Sequence, residues 1–165
     1  MEKIRDATES DLATIVNIYN ASIPSRIATG DLNPITVESR LKWFYEHSPH
    51  HRPLWVMEID DTIAGWLGFQ SFYYGRAAYD KTAEISLYIC PNYQRQGIGK
   101  KLLKQAIEKA PSLDLNTLLG FIFAHNQPSL NLFIKHQFQQ WGYLPKVAEL
   151  DGMERDIIIV GRTLN

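Results

Sequence analysis

The segment Gln94-Arg95-Gln96-Gly97-Ile98-Gly99-Lys100 offers the plainest chemistry in the chain. It stands between a strand-like run, Glu84-Ile85-Ser86-Leu87-Tyr88-Ile89-Cys90, and a helix-like run from Lys100 to Ala110. A strand, a short glycine loop and a helix start form an anion site, because the loop N–H groups and the positive helix end point at one place. Two glycines let backbone approach a ligand with no Cβ in the way. A pyrophosphate is the expected ligand. Two common phosphate loops are excluded. A Walker A loop needs a glycine where Gln94 stands and a hydroxyl residue where Lys101 stands. A dinucleotide fingerprint needs a third glycine where Leu102 stands. Arg95, Lys100, Lys101 and Lys104 add a local positive field suited to phosphates.

The elements that must position this loop follow from periodicity. Residues 2–7 read as a strand. Thr8-Glu9-Ser10-Asp11 can cap a helix whose face is Leu12, Ile15, Val16 and Tyr19. A loop over 21–35 leads to a second helix, expected from Thr36 to His47. Strands are expected at 54–59, 63–72, 82–90 and 117–124, and a last pair at 138–144 and 155–163. Pro128 suits the first turn of a helix running from Asn126 to about His136. The order is β-α-α-β-β-β-α-β-α-β-β. It predicts an α/β (α+β) fold with a mixed, mostly antiparallel sheet and helices on both faces.

The 165 residues suffice for one domain, 1–165, with a real core, and no repeat or linker divides them. A net charge of −1, from 17 basic and 18 acidic residues, argues against a nucleic-acid partner. No apolar run approaches membrane-spanning length and no leader is evident, so a cytoplasmic protein is expected. One cysteine, Cys90, permits no intrachain disulfide and suits a reducing compartment; it is expected in the core. His47, His50 and His51 flank Pro49 without a carboxylate or cysteine at ligand spacing, so they are expected at the surface, and no metal is expected.

The loop pattern Gln94-x-x-Gly97-x-Gly99 resembles the coenzyme A loop of the GNAT acetyltransferases, and the element order resembles theirs over nearly the whole chain. Several phrases are similar to the phosphinothricin/amino-acid N-acetyltransferase branch. These are Ile4 to Leu12 with Ile18-Tyr19-Asn20, Arg76 to Glu84 with Ser86-Leu87-Tyr88-Ile89, and Asn126-x-x-Ser129. The resemblance implies acetyl-CoA as donor and a small primary amine, an amino acid or analogue, as acceptor, with the chain acting as a homodimer. It implies that Arg95, Gln96, Gly97, Ile98, Gly99 and Lys100 hold the pyrophosphate. Leu87, Tyr88 and Ile89 would offer backbone to the pantetheine arm where two strands splay, by the logic of strand addition. Asn126 and Ser129 would face the cofactor from across the cleft, and Asn126 can also cap its helix.

Glu84 is implied as the base, since amine attack on a thioester needs a proton acceptor and burial raises a carboxyl pKa. Oxyanion stabilisation would come from the Leu87 N–H. The acceptor would meet Tyr74, Gly75, Arg76, Glu84, Ile85 and Ser86, with the Tyr19–Ile27 loop nearby and Arg76 or Arg26 gripping a carboxylate. Trp141-Gly142-Tyr143 and Ile157 to Val160 can serve core or interface.

The chain departs from the branch at three places. Phe133 stands where relatives carry tyrosine or histidine, Ile85 where histidine follows the glutamate, and His136-Gln137-Phe138 replaces Leu-Gly-Phe. The lost glycine predicts an altered helix end. Other readings remain: acetylation of a polyamine, aminoglycoside or peptide N-terminus, or an acyl-CoA-binding regulatory module without turnover. His125, His136, Tyr88 or water can supply the leaving-group proton.

Overall fold

Seven strands and four α-helices follow the expected order in the structure, a computed structural model that describes residues 1–164. They are β1 (Glu2–Asp6), α1 (Leu12–Ser22), α2 (Leu41–Tyr45), β2 (Leu54–Ile59), β3 (Thr62–Ser71), β4 (Thr82–Ile89), α3 (Ile98–Lys109), β5 (Thr117–Phe123), α4 (Gln127–Lys135), β6 (Gln139–Leu150) and β7 (Met153–Thr163). They form one sheet in the order β1-β2-β3-β4-β5-β7-β6. Every neighbouring pair is antiparallel except β4 and β5, which run parallel.

Side-chain alternation divides the core in two. Leu54, Val56 and Trp66 point to the face covered by α1 and α2, against Ile15, Ile18 and Tyr19 with Trp43 and Phe44. Trp55, Met57, Leu67 and Phe69 point to the other face, against Ile98, Leu102 and Leu103 of α3 and Leu130 and Phe133 of α4. Helices therefore lie on both faces, as the order of elements predicts.

The start of α1 is fastened by a capping box. The Thr8 N–H donates to Asp11 (2.7 Å), and Arg5 forks onto both Asp11 oxygens (2.8 and 3.0 Å). This ties α1 to the first strand.

Three expectations are corrected by local chemistry. The second helix is short: α2 has 5 residues and follows a 3₁₀ turn at Glu38–Arg40. Thr36 accepts from the Ser39 N–H (3.2 Å) while the Ser39 hydroxyl donates to the Thr36 carbonyl (2.7 Å). Such side-chain bonds compete with regular helix. The strand β6 runs on to Leu150 rather than stopping near 144, through a bulge between Leu144 and Ala148. There Lys146 takes a φ of 52°, and its N–H donates to Asp156 (2.7 Å), so Asp156 fills the gap in the ladder. Finally, the end of α4 closes in a regular left-handed turn without glycine. Gln137 adopts φ 67°, its N–H donates to Ile134 O (3.0 Å), and the Phe138 N–H donates to Phe133 O (3.1 Å). That is a Schellman motif, closed by the Phe133–Phe138 ring contact at 5.0 Å.

His47 is also not a surface residue. It is half-buried, with Nδ1 donating to the Trp43 carbonyl (2.8 Å), and burial lowers its pKa. His50 and His51 are exposed, and Cys90 is half-buried against the α1–α2 face.

Candidate active site

The parallel pair β4–β5 is in register only over Thr82–Glu84 against Thr117–Leu119, and beyond Glu84 the two strands diverge. Strand β4 stays paired to β3 on its other edge as far as Ile89, opposite Gly65. The Cys90 N–H donates to Ala64 O (2.8 Å), which fixes the phase of that ladder. Antiparallel bonding alternates. The main-chain groups of Glu84, Ser86 and Tyr88 therefore face β3, while those of Leu87 and Ile89 face the gap. Of the three residues expected to offer free backbone, Tyr88 is corrected: its N–H and C=O are committed to Trp66.

The ring of Tyr88 lies on the α1–α2 face, against Tyr19 (5.0 Å) and Trp66 (5.0 Å). Its hydroxyl donates to the Ala28 carbonyl (3.3 Å), and burial raises its pKa. Glu84 and Ser86 share this face by alternation, whereas Ile85 points into the core under α3 and α4.

A cavity of about 400 Å³ runs through the gap from one face of the sheet to the other. Tyr19, Arg40 and Trp43 wall one end, Asn126, Ser129 and Phe133 the other, and Glu84 to Tyr88 run along its side. Glu84 is half-buried, and burial raises its carboxyl pKa. Among the described residues its side chain enters no hydrogen bond or ion pair.

The glycine loop opens α3. Arg95 (φ 62°) and Gly97 (φ 78°) are both left-handed. The first helical bond is Lys101 N–H to Gly97 O (3.0 Å). The amides from Arg95 to Lys100 find no partner among the described residues, as expected of a helix start. The two glycines do different work. Gly97 supplies the conformation and has open space around it. Gly99 supplies closeness: a Cβ there would stand 3.5 Å from Leu87 and 3.3 Å from Leu132. Arg95 and Lys100 are exposed beside the loop. Lys101 turns away to pair with Glu2 (2.5 Å), and Lys104 lies by a different hollow near Lys3 and Met57.

Asn126 is buried and caps α4, its side chain accepting from the Ser129 N–H (3.3 Å). Phe133 is buried over Gly120, where a Cβ would meet the ring at 3.2 Å. His136 Nδ1 donates to Leu132 O (2.8 Å), and His125 Nε2 donates to Arg26 O (2.8 Å). Arg26 itself is tied to Asp151 (2.7 Å), Ile23 O (3.2 Å) and Leu32 O (3.0 Å). It is a strut that fastens the loop after α1 to the β6–β7 turn, with no fork left for a ligand.

Tyr74, Gly75 and Arg76 lie outside the cavity wall of the chain. Tyr73 and Tyr74 are left-handed (φ 50° and 64°), which turns the segment outward, and Tyr74 is 95% exposed. The rings of Phe72, Tyr73 and Tyr79 pack on one another instead. The part of the wall that sequence reasoning missed is Arg40 and Trp43. The i, i+3 spacing of Arg40 and Trp43 on an aromatic-rich helix was the available signal.

Residues 14–138 match the model of the acetyltransferase (GNAT) family. The chain is 46% identical to YwnH of Bacillus subtilis (strain 168), provisionally named a phosphinothricin acetyltransferase, over 98% of this chain and 99% of that one. It is 28% identical to the L-amino acid N-acyltransferase MnaT of Escherichia coli (strain K12), covering 93% and 89%. Among solved structures, yncA of Salmonella typhimurium with its cofactor acetyl-CoA superposes with a TM-score of 0.91 at 25% identity, covering 99% and 94%. The chain belongs to the GNAT acetyltransferase family: it is an N-acetyltransferase whose acyl donor is acetyl-CoA. The open amides at Gly97 and the unpaired edge of β4 fit that donor.

Proposed function

We propose that the chain acetylates the primary amine of a small amino acid or analogue, such as phosphinothricin or methionine sulfoximine, by direct attack on the thioester. One observation carries this reading. A single cavity lined from both faces of the sheet brings an unpartnered carboxylate, Glu84, beside the free edge of β4. The names of the relatives support it: one is an L-amino acid N-acyltransferase, and another, from Pseudomonas paraeruginosa, is an L-methionine sulfoximine/L-methionine sulfone acetyltransferase.

The donor supplies an activated acetyl group. Amides from Arg95 to Lys100 hold its pyrophosphate, with Arg95 and Lys100 adding charge. Leu87 and Ile89 pair with the amide-like arm along the open edge. Asn126 and Ser129 border it from the α4 side. The acceptor enters on the α1–α2 face, beside Glu84 and Ser86. Glu84 takes the amine proton as the new C–N bond forms and the C–S bond breaks. The Leu87 N–H opposes charge gathering on the carbonyl oxygen. Phe133 donates nothing, so the proton for the leaving thiolate comes from another group or from water.

The exposed Trp141 and Tyr143 strip on edge strand β6 (46% and 48% exposed) suits a second copy, giving a homodimer. A cytoplasmic setting fits the lone Cys90, and no helix among the described residues is long and apolar enough to cross a membrane. The test is thiol release from acetyl-CoA across amino acids, phosphinothricin, polyamines, aminoglycosides and short peptides. Release with amino acids or their analogues supports the proposal. Release with polyamines or aminoglycosides alone removes it, and silence with tight acetyl-CoA binding favours a binding module.

A further inference from the structure

Three polar side chains stand together on the α1–α2 face of the cavity: Gln70, Glu84 and Ser86. Gln70, near the end of β3, lies directly opposite Glu84 of β4. Residues paired in this way share one face, with Cα atoms about 5.5 Å apart in a hydrogen-bonded pair. Ser86 is two residues on from Glu84 and shares the face by alternation. It is the diagonal neighbour of Gln70, within reach of a long side chain.

All three residues are half-buried. Among the described residues none of the three side chains enters a hydrogen bond or ion pair, and none of their polar atoms is closed off from solvent. Their lone pairs are therefore open to an occupant of the cavity. The wall around them is largely apolar or aromatic, with Ile15, Val16, Tyr19 and Trp66. Polar groups in such a wall lose their water when the cavity fills, and the loss is offset only if the occupant pairs with them.

A carboxylate, a carboxamide oxygen and a hydroxyl are three hydrogen-bond acceptors. A primary ammonium offers three N–H donors and accepts nothing. The charge also matches, one negative group for one positive.

Resting on the amine-acetylation reading above, we propose that Gln70 is an acceptor-binding residue: its carboxamide oxygen, with the Ser86 hydroxyl, takes N–H bonds from the acceptor nitrogen and holds it against Glu84. Being neutral, Gln70 also sets selectivity. It leaves Glu84 as the single negative charge beside the nitrogen, which suits an acceptor with one cation at that end. A carboxylate at position 70 would make two and favour a diamine.

Gln70→Met keeps the length of the side chain and removes its polar atoms. Thiol release is measured with L-methionine sulfone and phosphinothricin, or with whichever amine the wild type acetylates. KM for the amine should rise by about 10- to 100-fold, the range for a hydrogen bond to a charged group, with much less change in kcat. Acetyl-CoA binding by calorimetry should stay as in the wild type, and the melting temperature should fall no lower, since Gln70 gives up no bond within the chain. A purely structural Gln70 would instead lower the melting temperature and leave KM for the amine in place. Gln70→Glu keeps an oxygen and adds a charge. Inhibition constants of 1,3-diaminopropane and propylamine against the acceptor should shift toward the diamine by several-fold over wild type. A Gln70→Met variant that folds, binds acetyl-CoA and keeps KM for the amine within about twofold of wild type would overturn the role of Gln70 while amine acetylation stands. So would a Gln70→Glu variant with the wild-type ratio of inhibition constants, which decides the matter if Gln70→Met does not fold. A wild type that acetylates no amine would overturn the role of Gln70 together with the reading on which it rests.

Discussion

Replacing Glu84 by Gln keeps shape and volume but removes the carboxylate that, among the described residues, lines the cavity beside the open edge of β4. A positioned general base typically contributes about 10²- to 10⁴-fold, so kcat/KM for an amino-acid acceptor should fall by about that factor at pH 7.5. Acetyl-CoA binding should hardly change, because the donor's contacts come from the loop at Gly97 and from the edge at Leu87 and Ile89. Burial raises the Glu84 pKa. The acid limb of the wild-type profile of kcat/KM against pH should therefore lie above the ordinary carboxylate range and be missing from the variant. Stability moves the other way. A carboxyl whose folded-state pKa exceeds its unfolded value favours folding most fully below the unfolded pKa, and loses that contribution as pH rises through the folded one. At pH 7.5 the charged, half-buried side chain opposes folding, so Glu84→Gln should melt no lower than wild type. The assays are thiol release with initial rates from pH 5 to 9, calorimetric titration with acetyl-CoA, and thermal melting. A variant within about tenfold of wild type, or one that keeps the acid limb, would refute Glu84 as the base.

Three further outcomes follow from single residues. Gly97→Ala places a side chain at φ 78° without meeting any atom, so it should cost about 1 kcal/mol of stability and raise the acetyl-CoA dissociation constant, read by calorimetry. Gln137→Gly should relieve the left-handed C′ position of α4 and raise stability by about 1 kcal/mol in urea titration. Asp11 is held below the usual carboxylate range chiefly by Arg5, so its stabilisation is present above the unfolded pKa and disappears as pH falls through the folded one. Asp11→Ala should therefore destabilise by about 2 kcal/mol at pH 7 and much less in acid, seen as converging melting temperatures.

The sheet was legible because its strands carry strong alternation between turn signals, and because the glycine loop announces the start of α3. The loop's two glycines and the cap Asn126 could be placed from local pattern, whereas Glu84 was picked out by the family resemblance. What escaped was decided by bonds between distant residues. The bulge in β6 depends on Asp156 reaching across to Lys146, and Pro145 nearby reads as the end of a strand. Arg26 looks like a free loop arginine until Asp151, far along the chain, is seen to hold it. The phase of the β3–β4 ladder, which turns Tyr88 inward to Trp66 and frees Leu87 and Ile89, follows from strand pairing and not from the residues of β4 alone. Arg40 and Trp43 join the acceptor wall only because the short α2 packs over Trp66. Loop 72–79 stands apart from the cavity wall of the chain, its aromatic residues packing on one another.

The central claim is that one cavity passes an acetyl group from acetyl-CoA to the amine of an amino-acid-like acceptor. Mass spectrometry of the acceptor, taken beside thiol release in the same reaction, tests it directly. One acetyl group on the amine nitrogen of phosphinothricin or L-methionine sulfone for each thiol released is the predicted result. Thiol release with the acceptor unmodified, or acetylation confined to polyamines, aminoglycosides or peptides, would contradict it.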